Sequence, residues 1–392
     1  MMTNQKTVAE PGAAVRMIRA LGLFVAVLCT LGFALPALAQ EHCVISFDVP
    51  ASNGFGTLPV GINVEGAIAG SYFSDAGYVS HGFVRTPDGH FTTFDAPGAG
   101  TAANNSSGTF SMGINLLGTV AGYYNDANLV SHGFLRSADG KFTIFDAPGA
   151  DINPADQAGT LVSGINGVGA VSGYYADSQF VVHGFLRTPD GKFTSFDPPG
   201  STLTVPVGPL NLEGAIVGYY LDSSSLFHGF VRWPNGKIDT FVGPGSCTTG
   251  TSTGCYGSGA YNINIFGTSV GAFMDNSGNF VARGFLRSAD GTITTYEPPE
   301  AGTGPSQGLI WNQVTGLNDS GALTMAYLAG NNVYHGFVRS PEGQYTSFDA
   351  PGADLTPGDY NGTIPVSINQ SGAITGYYVD SSYVAHGFLR NR

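Results

Sequence analysis

Six histidines of this chain stand in one triplet, His-Gly-Phe, at residues 81–83, 132–134, 183–185, 228–230, 335–337 and 386–388. An aspartate follows four of them fourteen residues later, as Asp95, Asp146, Asp197 and Asp349. An imidazole facing a carboxylate is general acid–base equipment. A second acidic series, Asp75, Asp126, Asp177, Asp222, Asp275 and Asp380, precedes the same slots. Catalytic groups rarely come in six equivalent copies, so the pairs read as structural hydrogen bonds and the second series as turn caps. No catalytic residue is assigned. His-Glu-x-x-His and a phosphate-binding glycine loop before a helix are both missing from the sequence.

The remaining candidates are few. Asp151 and Asp156, and again Asp354 and Asp359, share an Asp-x-x-Pro-x-Asp pattern. A calcium loop needs more oxygen ligands at closer spacing, so no metal and no cofactor are expected, and these four are candidate binding residues only. Trp311 joins them because no other repeat has a counterpart to it. Cys247 and Cys255 bracket seven residues and are expected to form a disulfide in an exported protein, with Cys43 left over.

Residues 1–39 read as a signal peptide. Arg16 and Arg19 precede the apolar run Ala20–Leu35, and Ala37-Leu38-Ala39 has the form of a cleavage site. Cleavage removes Lys6, Arg16, Arg19 and Glu10 and takes the formal net charge from −13 to −15. Seven of the nine arginines beyond residue 39 occupy one repeat slot (Arg85, Arg136, Arg187, Arg232, Arg287, Arg339, Arg390), so positive charge is spread out. Nucleic acid and anionic membrane surfaces want it clustered, and neither is expected as a partner. No membrane span is expected after cleavage. The reading is a secreted or periplasmic monomer.

What must position these groups is a repeat. With Arg283-Gly284-Phe285 filling the gap, seven copies start 51, 51, 45, 55, 52 and 51 residues apart, a period typical of propeller blades and solenoid coils. Each carries four short β-branched and aromatic runs, in the second copy Ser111–Asn115, Thr119–Tyr124, Val130–Arg136 and Phe142–Asp146. Asn-x-x-Gly separates the first two runs in every copy, from Asn63–Gly66 to Asn369–Gly372. Pro/Ala-Asp-Gly separates the last two in four copies, a three-residue hairpin loop with glycine at the left-handed position. Stepping outward from Pro87–Gly89 sets His81 opposite Asp95. In the fifth copy the pair becomes Arg283 and Glu297; in the fourth, Val242 replaces the acid.

The last copy lacks its fourth run, and the chain supplies a matching one at the other end, Cys43–Pro50. An open solenoid has no reason to divide a unit between its termini, whereas a ring does. The expectation is therefore an all-β fold: one seven-bladed β-propeller over residues 43–390, with four-stranded antiparallel blades and an N-terminal strand completing the last.

Gly113-Ile114-Asn115, Tyr123-Tyr124, Asp126, His132-Gly133-Phe134 and Phe145-Asp146 together resemble the bacterial extracellular HAF repeats. The likeness covers nearly all of the chain beyond residue 39. It implies a secreted bacterial protein and brings no assigned chemistry.

In such a disc the Asn-x-x-Gly and Asp-Gly turns share one face, while the second-to-third turns and the long connectors (97–112, 148–163, 243–261, 298–314 and 351–367) share the other. Variable loops on a rigid scaffold usually carry function, so the loop face and the channel mouth are the expected site. A noncatalytic binding or scaffold module follows, taking a glycan or another exported protein. The alternative is an enzyme acting on a polysaccharide or a small extracytoplasmic substrate.

Overall fold

The computed structural model describes residues 43–52, 55–74, 79–102, 106–156, 158–248, 256–310, 315–358 and 361–391; the expected signal peptide lies outside them. Contacts divide the chain into residues 1–43 and 44–392, and everything below concerns the second unit. Among the described residues there is no helix, only strands and turns.

The strands follow the repeat. In the second copy they run Gly108–Ile114, Val120–Asn125, Ser131–Arg136 and Phe142–Phe145, each antiparallel to the next. The first begins three residues earlier than its β-branched run suggests. The first, third, fourth and fifth copies repeat the pattern; in the sixth, the first strand is broken into Gly308–Leu309 and Gly316–Leu317. The last copy pairs Gly362–Ile368, Ile374–Val379 and Ala385–Arg390. Val44–Phe47, from the other end of the chain, then pairs antiparallel with Ala385–Arg390.

Neighbouring copies meet through single parallel bridges from the third strand of one to the start of the next: Ser80 to Gly108, Ser131 to Gly159, Val182 to Leu203, Phe227 to Gly257, Ala282 to Gly308 and Tyr334 to Gly362. Ala385 bridges to Gly56 in the same way. Four of these bridges join units into sheets of 13, 8 and 8 strands, and the isolated bridges Ser131–Gly159, Phe227–Gly257 and Ala385–Gly56 lie between the sheets.

Packing explains the motif. Phe83, Phe134, Phe185, Phe230, Phe285, Phe337 and Phe388 have no exposed surface. The glycine before each phenylalanine is required because the fourth-strand aromatic lies flat against it: a Cβ on Gly82 would sit 2.3 Å from the Phe94 ring. Six of the seven repeat arginines, all but Arg339, set the guanidinium over an aromatic ring of the preceding copy, and five of the six are buried. Arg136 lies 4.7 Å from the Phe94 centroid, Arg187 4.8 Å from Phe145, and Arg85 4.9 Å from Phe47 of the N-terminal strand. A desolvated cation over a ring contributes about 0.5–2 kcal/mol.

Candidate functional site

The histidines behave as the loop arithmetic requires. His81 Nδ1 donates to Asp95 at 2.8 Å, His132 to Asp146 at 2.9 Å, His183 to Asp197 at 2.7 Å and His335 to Asp349 at 3.0 Å. His386 donates to Asp48, 338 residues away, at 3.0 Å. Arg283 and Glu297 form the corresponding ion pair. Each ring lies against a second-strand tyrosine, as His132 does on Tyr124 at 5.1 Å between centroids.

The turn aspartates do two things. Asp177 Oδ1 accepts the backbone N–H groups of Gln179 and Val181 at 2.8 and 2.9 Å, and Asp126, Asp222 and Asp380 cap their turns in the same manner. Asp75 lies outside the described residues. The other carboxylate oxygen reaches the histidine: His183 Nε2 lies 3.3 Å from Asp177, His386 Nε2 3.3 Å from Asp380, and His228 Nε2 2.8 Å from Asp222. His228 therefore finds an acid even though Val242 stands in the usual place.

Neighbouring carboxylates favour the charged form of four of these imidazoles. The hydrogen bond from Asp146 raises the pKa of His132 above its ordinary 6.5, as the bond from Asp349 does for His335. For His183 and His386 burial works the other way, and the two acids at each outweigh it. At His183 and His386 both ring nitrogens already face a carboxylate within hydrogen-bond distance, so a substrate would have to displace one of them. These are fasteners.

The expected loop-face carboxylates are likewise occupied. Asp151 accepts the Asn153 N–H at 2.9 Å, Asp156 bonds the Asn153 amide, and Asp354 accepts from Thr356 and from the Asn361 amide. They cap their own loops, and nothing in these bonds gathers them into one site. Asp359 and Trp311 lie outside the described residues. Cys247 is buried; its expected partner, Cys255, also lies outside the described residues. The loop face does present aromatic rings. Phe180 and Tyr383, in equivalent turns, are 62% and 63% exposed and hold left-handed backbone at φ 61°. Bulky residues rarely adopt that conformation.

A cavity opens on the opposite face, at the Asn-x-x-Gly turns. It holds about 300 Å³, and all seven repeats contribute to its wall. The lining pattern is layered. Ile62, Ile114, Ile165, Leu210, Ile263, Leu317 and Ile368, each just before the turn asparagine, form an aliphatic girdle. Bulges in the first strands turn Val60, Met112 and Val366 toward it.

The asparagines hold the mouth together. Each Oδ1 caps its own turn, as Asn369 does for the Ala373 N–H at 2.9 Å. Their Nδ2 groups donate to the backbone carbonyl of the next asparagine: Asn63 to Asn115 at 3.2 Å, Asn166 to Asn211 at 2.9 Å, Asn211 to Asn264 at 3.0 Å, Asn264 to Asn318 at 3.5 Å and Asn318 to Asn369 at 3.2 Å. Asn369 donates to Asn63 at 3.0 Å, across 306 residues. The repeated Ile/Leu-Asn pair is the sequence signal for this cavity, and turn chemistry alone does not reveal it.

No family model and no curated protein matches the chain. Solved structures do. A catalytically inactive virginiamycin B lyase from Staphylococcus aureus, crystallised with quinupristin, is 14% identical over 90% of this chain and 100% of its own, with a TM-score of 0.54. A puromycin hydrolase is 14% identical over 84% of this chain and 51% of its own, at 0.50. A fungal lectin from Aleuria aurantia, a six-bladed propeller that recognises fucose, covers 69% of this chain at 0.38, too distant to carry an argument. At such identities the likeness is one of fold. The structural neighbours are β-propellers, some binding proteins and some enzymes, and the chain has a β-propeller fold.

Proposed function

We propose that the chain is an exported bacterial HAF-repeat protein acting as a noncatalytic binding module. It is built as a closed seven-bladed propeller whose N-terminal strand completes the last blade, and it takes its ligand in the cavity at the Asn-turn mouth. Closure is supported by the Val44–Phe47 pairing, the Gly56–Ala385 bridge and the Asn369–Asn63 bond. Export is supported by the signal-peptide pattern of residues 1–39, and Cys247–Cys255 is the proposed disulfide of the exported chain. Among the described residues no helix is long and apolar enough to cross a membrane.

The observation that carries the binding reading is the cavity itself: a concave site of ligand size whose wall combines an aliphatic girdle with asparagine, glutamine and aspartate side chains. Leucine at Gly167 tests it, because a Cβ there already meets Leu116 Cδ1 at 3.0 Å and Leu212 Cδ1 at 3.3 Å and would fill the mouth. Compounds that raise the melting temperature of residues 40–392 should lose that effect on the Gly167→Leu variant. Compounds that stabilise both proteins equally would place the site elsewhere.

A second reading keeps a glycan on the loop face, because Phe180 and Tyr383 present exposed rings in equivalent turns. Glycan binding that survives Phe180→Ala with Tyr383→Ala would remove it.

A further inference from the structure

The mouth of the cavity breaks the repeat. Between the turn asparagine and glycine stand Val64-Glu65, Leu116-Leu117, Gly167-Val168, Leu212-Glu213, Ile265-Phe266, Asp319-Ser320 and Gln370-Ser371. Purely structural slots would carry similar residues in each copy. Here the second to fifth copies are mostly apolar and the last two are polar. Leu117 and Phe266 are 74% and 70% exposed, and Leu116, Val168 and Leu212 are exposed beside them. Exposed apolar side chains gathered around one mouth are the feature expected of an interaction site.

The charges at this mouth have one sign. Glu65, Glu213 and Asp319 lie in the seven turns, and no lysine, arginine or histidine does. Asp319 is fixed in place: its carboxylate accepts the Ile265 N–H at 3.0 Å, and its own N–H donates to Gln370 Oε1 at 3.0 Å. One carboxylate oxygen remains for a ligand, and among the described residues no cation pairs with Asp319. Among the described residues it is also the one ionisable side chain in the cavity wall.

We propose that the cavity binds a cationic amphiphile, with its aliphatic or aromatic body in the isoleucine girdle and a single ammonium-type head at Asp319. This rests on reading the cavity as the binding site. The girdle and the leucines at the rim bury the apolar body, at about 25 cal/mol per Å² removed from water. The rim acids select the head group, and that selection weakens as salt screens it.

Three ten-carbon probes, each below its micelle concentration, test the proposal: decyltrimethylammonium, decyl sulfate and decyl maltoside, titrated calorimetrically into residues 40–392. The cation should bind at least tenfold tighter than the other two. The net charge of the whole chain attracts any cation, so the preference must also follow the rim. A Glu65→Gln, Glu213→Gln, Asp319→Asn variant should abolish it and leave the maltoside affinity within twofold. Gly167→Leu should weaken all three probes tenfold or more, with thermal melts confirming that both variants fold. Binding without head-group preference but sensitive to Gly167→Leu would overturn the ligand class and leave the cavity reading standing. Cation binding indifferent to Gly167→Leu, or no binding of any probe, would overturn both.

Discussion

Replacing Phe47 with alanine asks whether the N-terminal strand is a clasp or a trailing end. Phe47 is 8% exposed and lies against the backbone of Gly387, in the strand it pairs with. Its ring also supports Arg85 of the first repeat at 4.9 Å and contacts Phe91 at 6.0 Å between centroids. One side chain therefore touches both the last and the first copy. Truncating a buried phenylalanine costs about 3–5 kcal/mol. Arg85 Nε is buried without a hydrogen-bond partner, so loss of the ring leaves that cation poorly compensated, which puts the expected cost near the top of the range, about 4–5 kcal/mol. Phe145 is the interior equivalent, 9% exposed beneath Arg187 at 4.8 Å. Urea unfolding followed by circular dichroism should show the two alanine variants losing stability by similar amounts in one cooperative transition. A loss below about 1 kcal/mol for Phe47→Ala, or a separate early transition for the terminal strand, would refute the clasp.

Two further outcomes follow from the histidine fasteners. Asp146→Ala should cost about 1–3 kcal/mol in the same unfolding assay, because His132 Nδ1 loses its acceptor; a neutral result would mean that solvent replaces the bond without cost. The raised pKa values of His132, His183, His335 and His386 stabilise the fold fully below the unfolded value of about 6.5, and that stabilisation is lost as pH climbs through the folded values. Asp177, capped chiefly by the Val181 N–H, has a lowered pKa, so its contribution is present above about 3.8 and lost as pH falls through the folded value. The melting temperature should therefore plateau between about pH 4 and 6.5 and decline toward pH 9, less steeply in Asp146→Ala. A melting temperature that rises from pH 6.5 to 9 would contradict the assignment.

The legible and illegible parts of this molecule separate by the range of the interactions. Hairpin chemistry is local, so Pro87–Gly89 placed His81 opposite Asp95, and Asp177 could be read as a cap from its position in a turn. The echo of Phe94-Asp95 in Phe47-Asp48 likewise pointed to the terminal strand. The arginine slot was visible only as a repeat, because its partner ring lies in the neighbouring copy and no spacing rule reveals a cation over a ring across a sheet-to-sheet interface. The cavity escaped for a related reason. Ile62 and Ile114 look like ordinary strand residues until the copies are brought around one axis, and a turn asparagine shows its capping role without showing the amide it lends to the next turn. The variable connectors drew attention to the loop face, where Asp151 and Asp354 prove to be occupied by their own backbones.

The central claim is circular closure, and a cross-link between the first and last Asn turns tests it most directly. In a Cys43→Ser background, Val64→Cys and Gln370→Cys introduce thiols next to Asn63 and Asn369, whose bond spans 306 residues. A short bis-maleimide should bridge them within one molecule as readily as it bridges the adjacent first and second turns through Val64→Cys and Leu116→Cys. Efficient cross-linking of the 64–116 pair with none between 64 and 370 would mean that the copies run as an open array.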